Sequence, residues 1–247
     1  MTRKPLLWMV CSLFLAYGCA SPGGRDAPIS NAERRAYAAA YAALPHHPAE
    51  ATRQLESFVR QWPRSGLADD ASELLADLAA ARGDDQGELR WLRQLLRDHP
   101  GGDRSDSARL RLAQIEFASG NSAAARRALQ SIRYSALARD QEFAAYQLQA
   151  RLSDGADRVL WLARARGLQT NPQIQRLIDG QIDTLLLSLS DQELEGLASA
   201  LGNDIPAARV ALRRALRASA AGDFEAAASL IARAERMPQT AADAQAA

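Results

Sequence analysis

The chain has 247 residues, of which 47% are apolar, 24% charged and 6% aromatic. Its 30 basic and 29 acidic residues leave a formal charge of +1, which excludes a bulk electrostatic pull toward nucleic acid or an anionic membrane. Two cysteines and three histidines exclude a disulfide framework and leave little for a metal cage. Abundant alanine, with only 15 glycines and 10 prolines, points to helix.

The N-terminus reads as an address. Arg3 and Lys4 form a short positive segment, and Leu6 to Ala16 is an apolar run. At ~1.5 Å per residue that run spans roughly 16 Å, about half of a hydrocarbon core, so it reads as the core of a secretory signal and not as a membrane span. Leu15-Ala16-Tyr17-Gly18-Cys19 resembles the bacterial lipobox, in which small residues precede a cysteine that is acylated and becomes the mature N-terminus. That resemblance implies a signal peptide over residues 1–18 and a lipidated Cys19. Ala20 stands where an aspartate would mark inner-membrane retention, so the resemblance also implies an outer-membrane anchor facing the periplasm. The alternative is an ordinary secretory signal with an incidental cysteine. Cleavage before Cys19 removes Arg3, Lys4 and Cys11, turns the formal charge of +1 into −1, and leaves no free thiol. The rest of 19–30 is rich in Gly, Pro and Ser and reads as a flexible tether; 238–247 lacks periodic apolar residues and reads as a disordered tail.

Between these ends the sequence repeats. Pro63 and Pro100 lie 37 residues apart, and the same offset aligns Leu55 with Leu92 and Leu129, Phe58 with Leu95 and Ile132, Leu75 with Leu112, and Gly83-Asp84 with Gly120-Asn121. Within each unit, Ala71, Leu75, Ala76 and Leu78 have the spacing of one buried helical face. Gly83 and Gly120 are placed to end a first helix, and Pro63 and Pro100 to end a second. Further on, Asn171-Pro172 predicts a helix start, a long helix follows to Leu189, and Ser190 to Glu193 predicts a capping box. The offset does not carry through this middle stretch; a repeat-like form returns at Gly222-Asp223.

The glycine turns, with Leu92, Leu95 and Pro100 after Gly83, Ala125, Leu129 and Ile132 after Gly120, and Ala227 and Ile231 after Gly222, resemble the tetratricopeptide repeat. The longer period and the Trp62-Pro63-Arg64-Ser65 and His99-Pro100-Gly101-Gly102 turns resemble repeats of outer-membrane helical lipoproteins of the BamD and Tol-associated coordinator kind. Residues 136–237 resemble the helical N-terminal region of penicillin-binding-protein activator lipoproteins. The resemblance implies an all-α, right-handed α-solenoid over residues 31–237, with roughly twelve helices in about six antiparallel pairs. It places Asp70, Glu73, Asp77 and Ala80, then Ser107, Leu110, Gln114 and Phe117, in a concave groove that is acidic at one end and apolar further along.

Candidate chemistry is sparse. His46-His47 sits between prolines without the further ligands a zinc site needs, and His99 occupies a repeat turn. No phosphate loop, nucleophile elbow or zinc-protease motif is present in the sequence, so no catalytic role, metal or cofactor is expected. Arg209, Arg213 and Arg217, with Arg214 beside them, form a basic stripe at helical spacing. Both the acidic row and this stripe also read as solvated helix faces. Trp62, Trp91 and Trp161 read as packing residues, and the aromatics are too scattered for a nucleic-acid platform. Two functions remain. One is a non-catalytic, lipid-tethered adaptor whose groove binds another envelope protein, in outer-membrane assembly, Tol-linked division or peptidoglycan synthesis by resemblance. The other is a protein that binds peptidoglycan or a small envelope ligand directly, with the arginine stripe as its support.

Overall fold

The computed structural model describes residues 29–202 and 205–237. The expected leader, Cys19, the tether up to residue 28 and the tail from Pro238 lie outside the described residues. The described chain is all-helical and contains twelve α-helices. They are α1 (Asn31–Ala43), α2 (Pro48–Gln61), α3 (Ala68–Ala81), α4 (Asp85–Asp98), α5 (Ser105–Ala118), α6 (Ser122–Gln130), α7 (Arg139–Leu152), α8 (Gly155–Leu168), α9 (Pro172–Ser188), α10 (Asp191–Leu201), α11 (Ile205–Ala220) and α12 (Phe224–Glu235). One 3-10 turn, Tyr134–Ala136, separates α6 from α7.

The repeat offset is visible in the helix boundaries. α4 begins 37 residues after α2, α6 begins 37 after α4, and α5 begins 37 after α3. The turns follow from a Gly-Asp or Gly-Asn pair. Gly83 has φ +71° and Gly120 φ +82°, a region where a Cβ would clash with the backbone. At Gly83 the amide donates to the Ala80 carbonyl (2.9 Å) and the Asp84 amide to Ala79 (2.9 Å), closing the last turn of α3. Asp84 then caps the next helix by accepting from the Gly87 amide at 2.8 Å. Two residues thus end one helix and start its partner, so α3 and α4 pack side by side as an antiparallel hairpin.

The hairpins α1–α2, α3–α4, α5–α6, α7–α8 and α11–α12 each pack together, and each also touches its neighbour along the chain. The expected pairing of α9 with α10 is corrected: these two share almost no contact, and both lie against α8 and α11 instead. The register fails where α6 ends early. α6 has 9 residues against 14 in α4, and just past its end the buried Asp106 accepts from the Arg133 backbone amide at 3.1 Å and from its side chain at 2.9 Å.

Apolar packing follows the same division. Small clusters join successive hairpins in the first half: Leu55, Phe58 and Leu75 in one, Leu92 and Leu95 in the next, then Leu110, Leu129, Ile132 and Leu148. Trp62 and Trp91 pack against these clusters as expected, with Trp91 touching two of them. Trp161 packs beside Tyr134 and Tyr146 in an offset stack. In the second half one continuous cluster runs from Ala150 through Ile178, Ile182, Leu194 and Val210 to Met237.

Leu129 is fully buried, whereas Leu212 is 44% exposed. Leu129→Ala is expected to lower unfolding stability by about 2–5 kcal/mol and Leu212→Ala by less than about 0.5 kcal/mol, read by urea denaturation followed by circular dichroism.

Candidate functional site

Three odd-numbered helices, together with Leu92 of α4, line one cleft of about 300 Å³. Glu73 comes from α3; Ser107, Leu110, Arg111 and Gln114 from α5; Asp140, Gln141 and Ala144 from α7. The cleft therefore brings together Glu73, Leu110 and Gln114, residues that the repeat spacing places on one face.

The acidic row of α3 runs along its rim, and it is paired. Asp70, Glu73 and Asp77 recur at i, i+3 and i+7, so they share one side of the helix. Arg104 lies 2.8 Å from Asp70 and 3.4 Å from Glu73. Ser107 donates to Glu73 at 3.5 Å, and Arg111 pairs with both Asp77 and the buried Glu88. The contacts Arg104–Asp70, Ser107–Glu73 and Arg111–Asp77 all join residues 34 apart. They form a ladder between two parallel helices. Burial raises the carboxyls of Asp70 and Glu73 above the usual range, against the opposing pull of Arg104.

One expectation changes character. Leu110 is only 4% exposed and belongs to the core between α5 and α7, so it forms the floor of the cleft and is not a free apolar contact. Phe117 is half-buried, with the Arg151 guanidinium 5.7 Å from its ring centre. Gln114 is exposed at the mouth.

The arginines of the basic stripe have partners within the fold. Arg209 pairs with Asp183 and lies 3.3 Å from Asp179; Arg214 lies 3.6 Å from Glu195; Arg217 lies 2.7 Å from Asp191. Arg213 reaches the Leu187 carbonyl at 3.4 Å. These arginines join α11 to α9 and to the start of α10, so they act as cross-links of the fold. Three of the contacts, to Asp183, Leu187 and Asp191, join residues 26 apart and form a second ladder.

His46 and His47 are exposed in the turn between α1 and α2, and His99 closes α4, its carbonyl accepting from Ser105 at 2.6 Å. Among the described residues no group of three His, Cys, Asp or Glu side chains is arranged to hold a metal ion. No described helix is long and apolar enough to cross a membrane.

Asp69 escaped sequence reasoning. It is 7% exposed, and no cation pairs with it among the described residues. Its counterpart one repeat later, Asp106, is held by Arg109 at 3.0 Å and Arg133 at 2.9 Å. Asp69 instead faces Asp103, with Gly102 packed so closely that a Cβ there would sit 2.7 Å from its carboxylate. Burial, then Asp70 and Asp103, push the Asp69 carboxyl up to about 7. The signal was available in the repeat alignment: Ser72 and Leu96 stand at the places held by Arg109 and Arg133.

The chain matches no protein-family model and no curated protein. The class it falls in is therefore defined by its fold and its cleft: an all-helical chain of successively packed hairpins with a polar cleft across its early odd-numbered helices.

The raised Asp69 carboxyl makes stability depend on pH. The folded state holds the Asp69 proton more tightly than the unfolded chain, whose carboxyl titrates near 3.8. Its contribution is full below that value and falls away as pH rises through about 7. Wild type is expected to have a higher urea midpoint at pH 5 than at pH 8, and Asp69→Asn to shrink that difference by gaining stability at pH 8.

Proposed function

We propose that this chain is a non-catalytic adaptor of the cell envelope, a right-handed tetratricopeptide-like solenoid anchored through lipid on Cys19 and facing the periplasm. Its odd-helix face binds another envelope protein. The observation that supports the reading is the convergence of α3, α5 and α7 on one cleft that mixes carboxylates, arginine, serine and glutamine over an apolar floor. Such a surface offers hydrogen bonds and partly neutralised charge to a segment of a partner. Assembly of outer-membrane proteins, Tol-linked division and peptidoglycan synthesis are the candidate pathways. The direct peptidoglycan-binding alternative draws on the arginine stripe, whose members are engaged within the fold.

The test is in-cell crosslinking of the tagged full chain, followed by identification of the attached proteins. One reproducible envelope partner is expected, with capture reduced in a Cys19→Ser strain. The triple variant Asp70→Asn, Glu73→Gln, Asp77→Asn removes half-exposed ion pairs worth about 0–1 kcal/mol each, so its fold is expected to persist while capture drops. Undiminished capture by the triple variant would count against the cleft. Absence of any partner together with salt-resistant cosedimentation with purified sacculi would transfer the function to the wall-binding alternative.

A further inference from the structure

Seven large apolar side chains are exposed among the described residues, and four of them, Leu177, Leu187, Leu212 and Leu216, sit on α9 and α11. The buried face of α11 is made by Ala207, Ala208, Val210, Ala211 and Ala215. Leu212 and Leu216, 44% and 64% exposed, are therefore surplus to the core. They lie one turn apart on the same side of the helix, next to Arg209 and Arg213. Because the ladder contacts keep a constant separation of 26, α9 and α11 run parallel, and Leu187, 59% exposed, is level with Arg213. Three leucines thus surround one stretch of the ladder.

Arg213 differs from its neighbours. Arg209, Arg214 and Arg217 each have a carboxylate. Among the described residues Arg213 has none: one terminal nitrogen reaches the Leu187 carbonyl at 3.4 Å, and its Nε is buried with no hydrogen-bond partner among them. Exposed leucines favour a covered surface, and covering Arg213 is favourable only if the partner brings a carboxylate to it.

We propose that this face of α9 and α11 docks a helix of a partner protein that presents an apolar stripe and one carboxylate, the carboxylate meeting Arg213. The inference rests on the adaptor reading and names the chemistry of its partner at a place distinct from the α3–α5–α7 cleft. Charge favours this occupant over a second copy of the chain, since a two-fold contact centred there would set Arg213 against Arg213. The segment 238–247 has no large apolar side chain to fill the leucine face.

The probes are two synthetic amphipathic helices with leucines at i, i+4 and i+7. One carries glutamate at i+3 and the other lysine, and binding to the purified full chain is read by fluorescence anisotropy. The glutamate helix is expected to bind about tenfold or more tighter. Arg213→Glu should reverse that preference, and Leu216→Asp should weaken both helices without shifting the thermal melt, because Leu216 is exposed. Equal binding of the two helices, no binding of either, or indifference to Leu216→Asp would overturn the proposal. So would a sedimenting dimer that Leu216→Asp dissolves, which gives the face to a second copy. Binding seen only after removal of 238–247 gives it to the tail and also overturns the proposal. A photocrosslinker at Gln114 that still captures a protein, when both helices fail, removes this inference alone; failure at both places removes the adaptor reading as well.

Discussion

Two pairs of odd-numbered helices, α3 with α5 and α9 with α11, are held at a fixed stagger by ladders of polar contacts, and the surfaces they form depend on that stagger. Between α3 and α5 the rungs join residues 34 apart; between α11 and α9, and from α11 to the first residue of α10, they join residues 26 apart. Most rungs are half-exposed, and each contributes about 0–1 kcal/mol. The stability comes from the apolar clusters beneath them. What the ladders contribute is register. A slip of one helical turn would break every rung of a ladder together, and between α3 and α5 it would leave Glu88, 7% exposed, short of Arg111. Unpairing a buried charge costs about 3–5 kcal/mol, far more than a surface rung.

The same ladders give the two halves different surfaces. In the first half they line a cleft and neutralise much of its acidic rim, so discrimination there falls to hydrogen bonds and shape. In the second half the arginines stitch α11 to α9, and leucines stand on either side of them. The contrast between Asp69 and Asp106 shows how one repeat position diverges. Asp106 has two arginines, while Asp69 has none among the described residues and its carboxyl is raised by burial and by Asp70 and Asp103.

Much of the helical architecture was legible because local signals agree with one another. Gly83-Asp84 and Gly120-Asn121 mark turns whose backbone only glycine adopts readily, and Leu55, Leu92 and Leu129 mark one buried face at a constant period. Asn171 and Ser190 cap α9 and α10 as their sequence predicts. The chain did not announce that α9 and α10 separate, because local spacing carries no information about which neighbour a helix chooses. The partners of the charged residues were hidden for a related reason. Arg209, Arg214 and Arg217 look like a stripe in one helix, and the carboxylates that absorb them lie on α9 and α10, well before them in sequence. Leu110 lines the cleft as its position suggests, and its packing against α7, which the repeat spacing does not show, makes it the floor. The exposed leucines were within reach: the spacing that places Glu73 and Asp77 before Gly83 places Leu212 and Leu216 before Gly222.

The most direct test of an adaptor that works through its odd-numbered helices compares faces of one molecule in the cell. A photoreactive side chain at Gln114 or Leu216 probes the α5 and α11 surfaces, and one at Arg60 or Arg97 probes exposed positions on α2 and α4. Crosslinks to an envelope protein from Gln114 or Leu216, with none from Arg60 or Arg97, are the expected result. Crosslinks confined to Arg60 and Arg97 would contradict it and move the binding surface to the even-numbered helices.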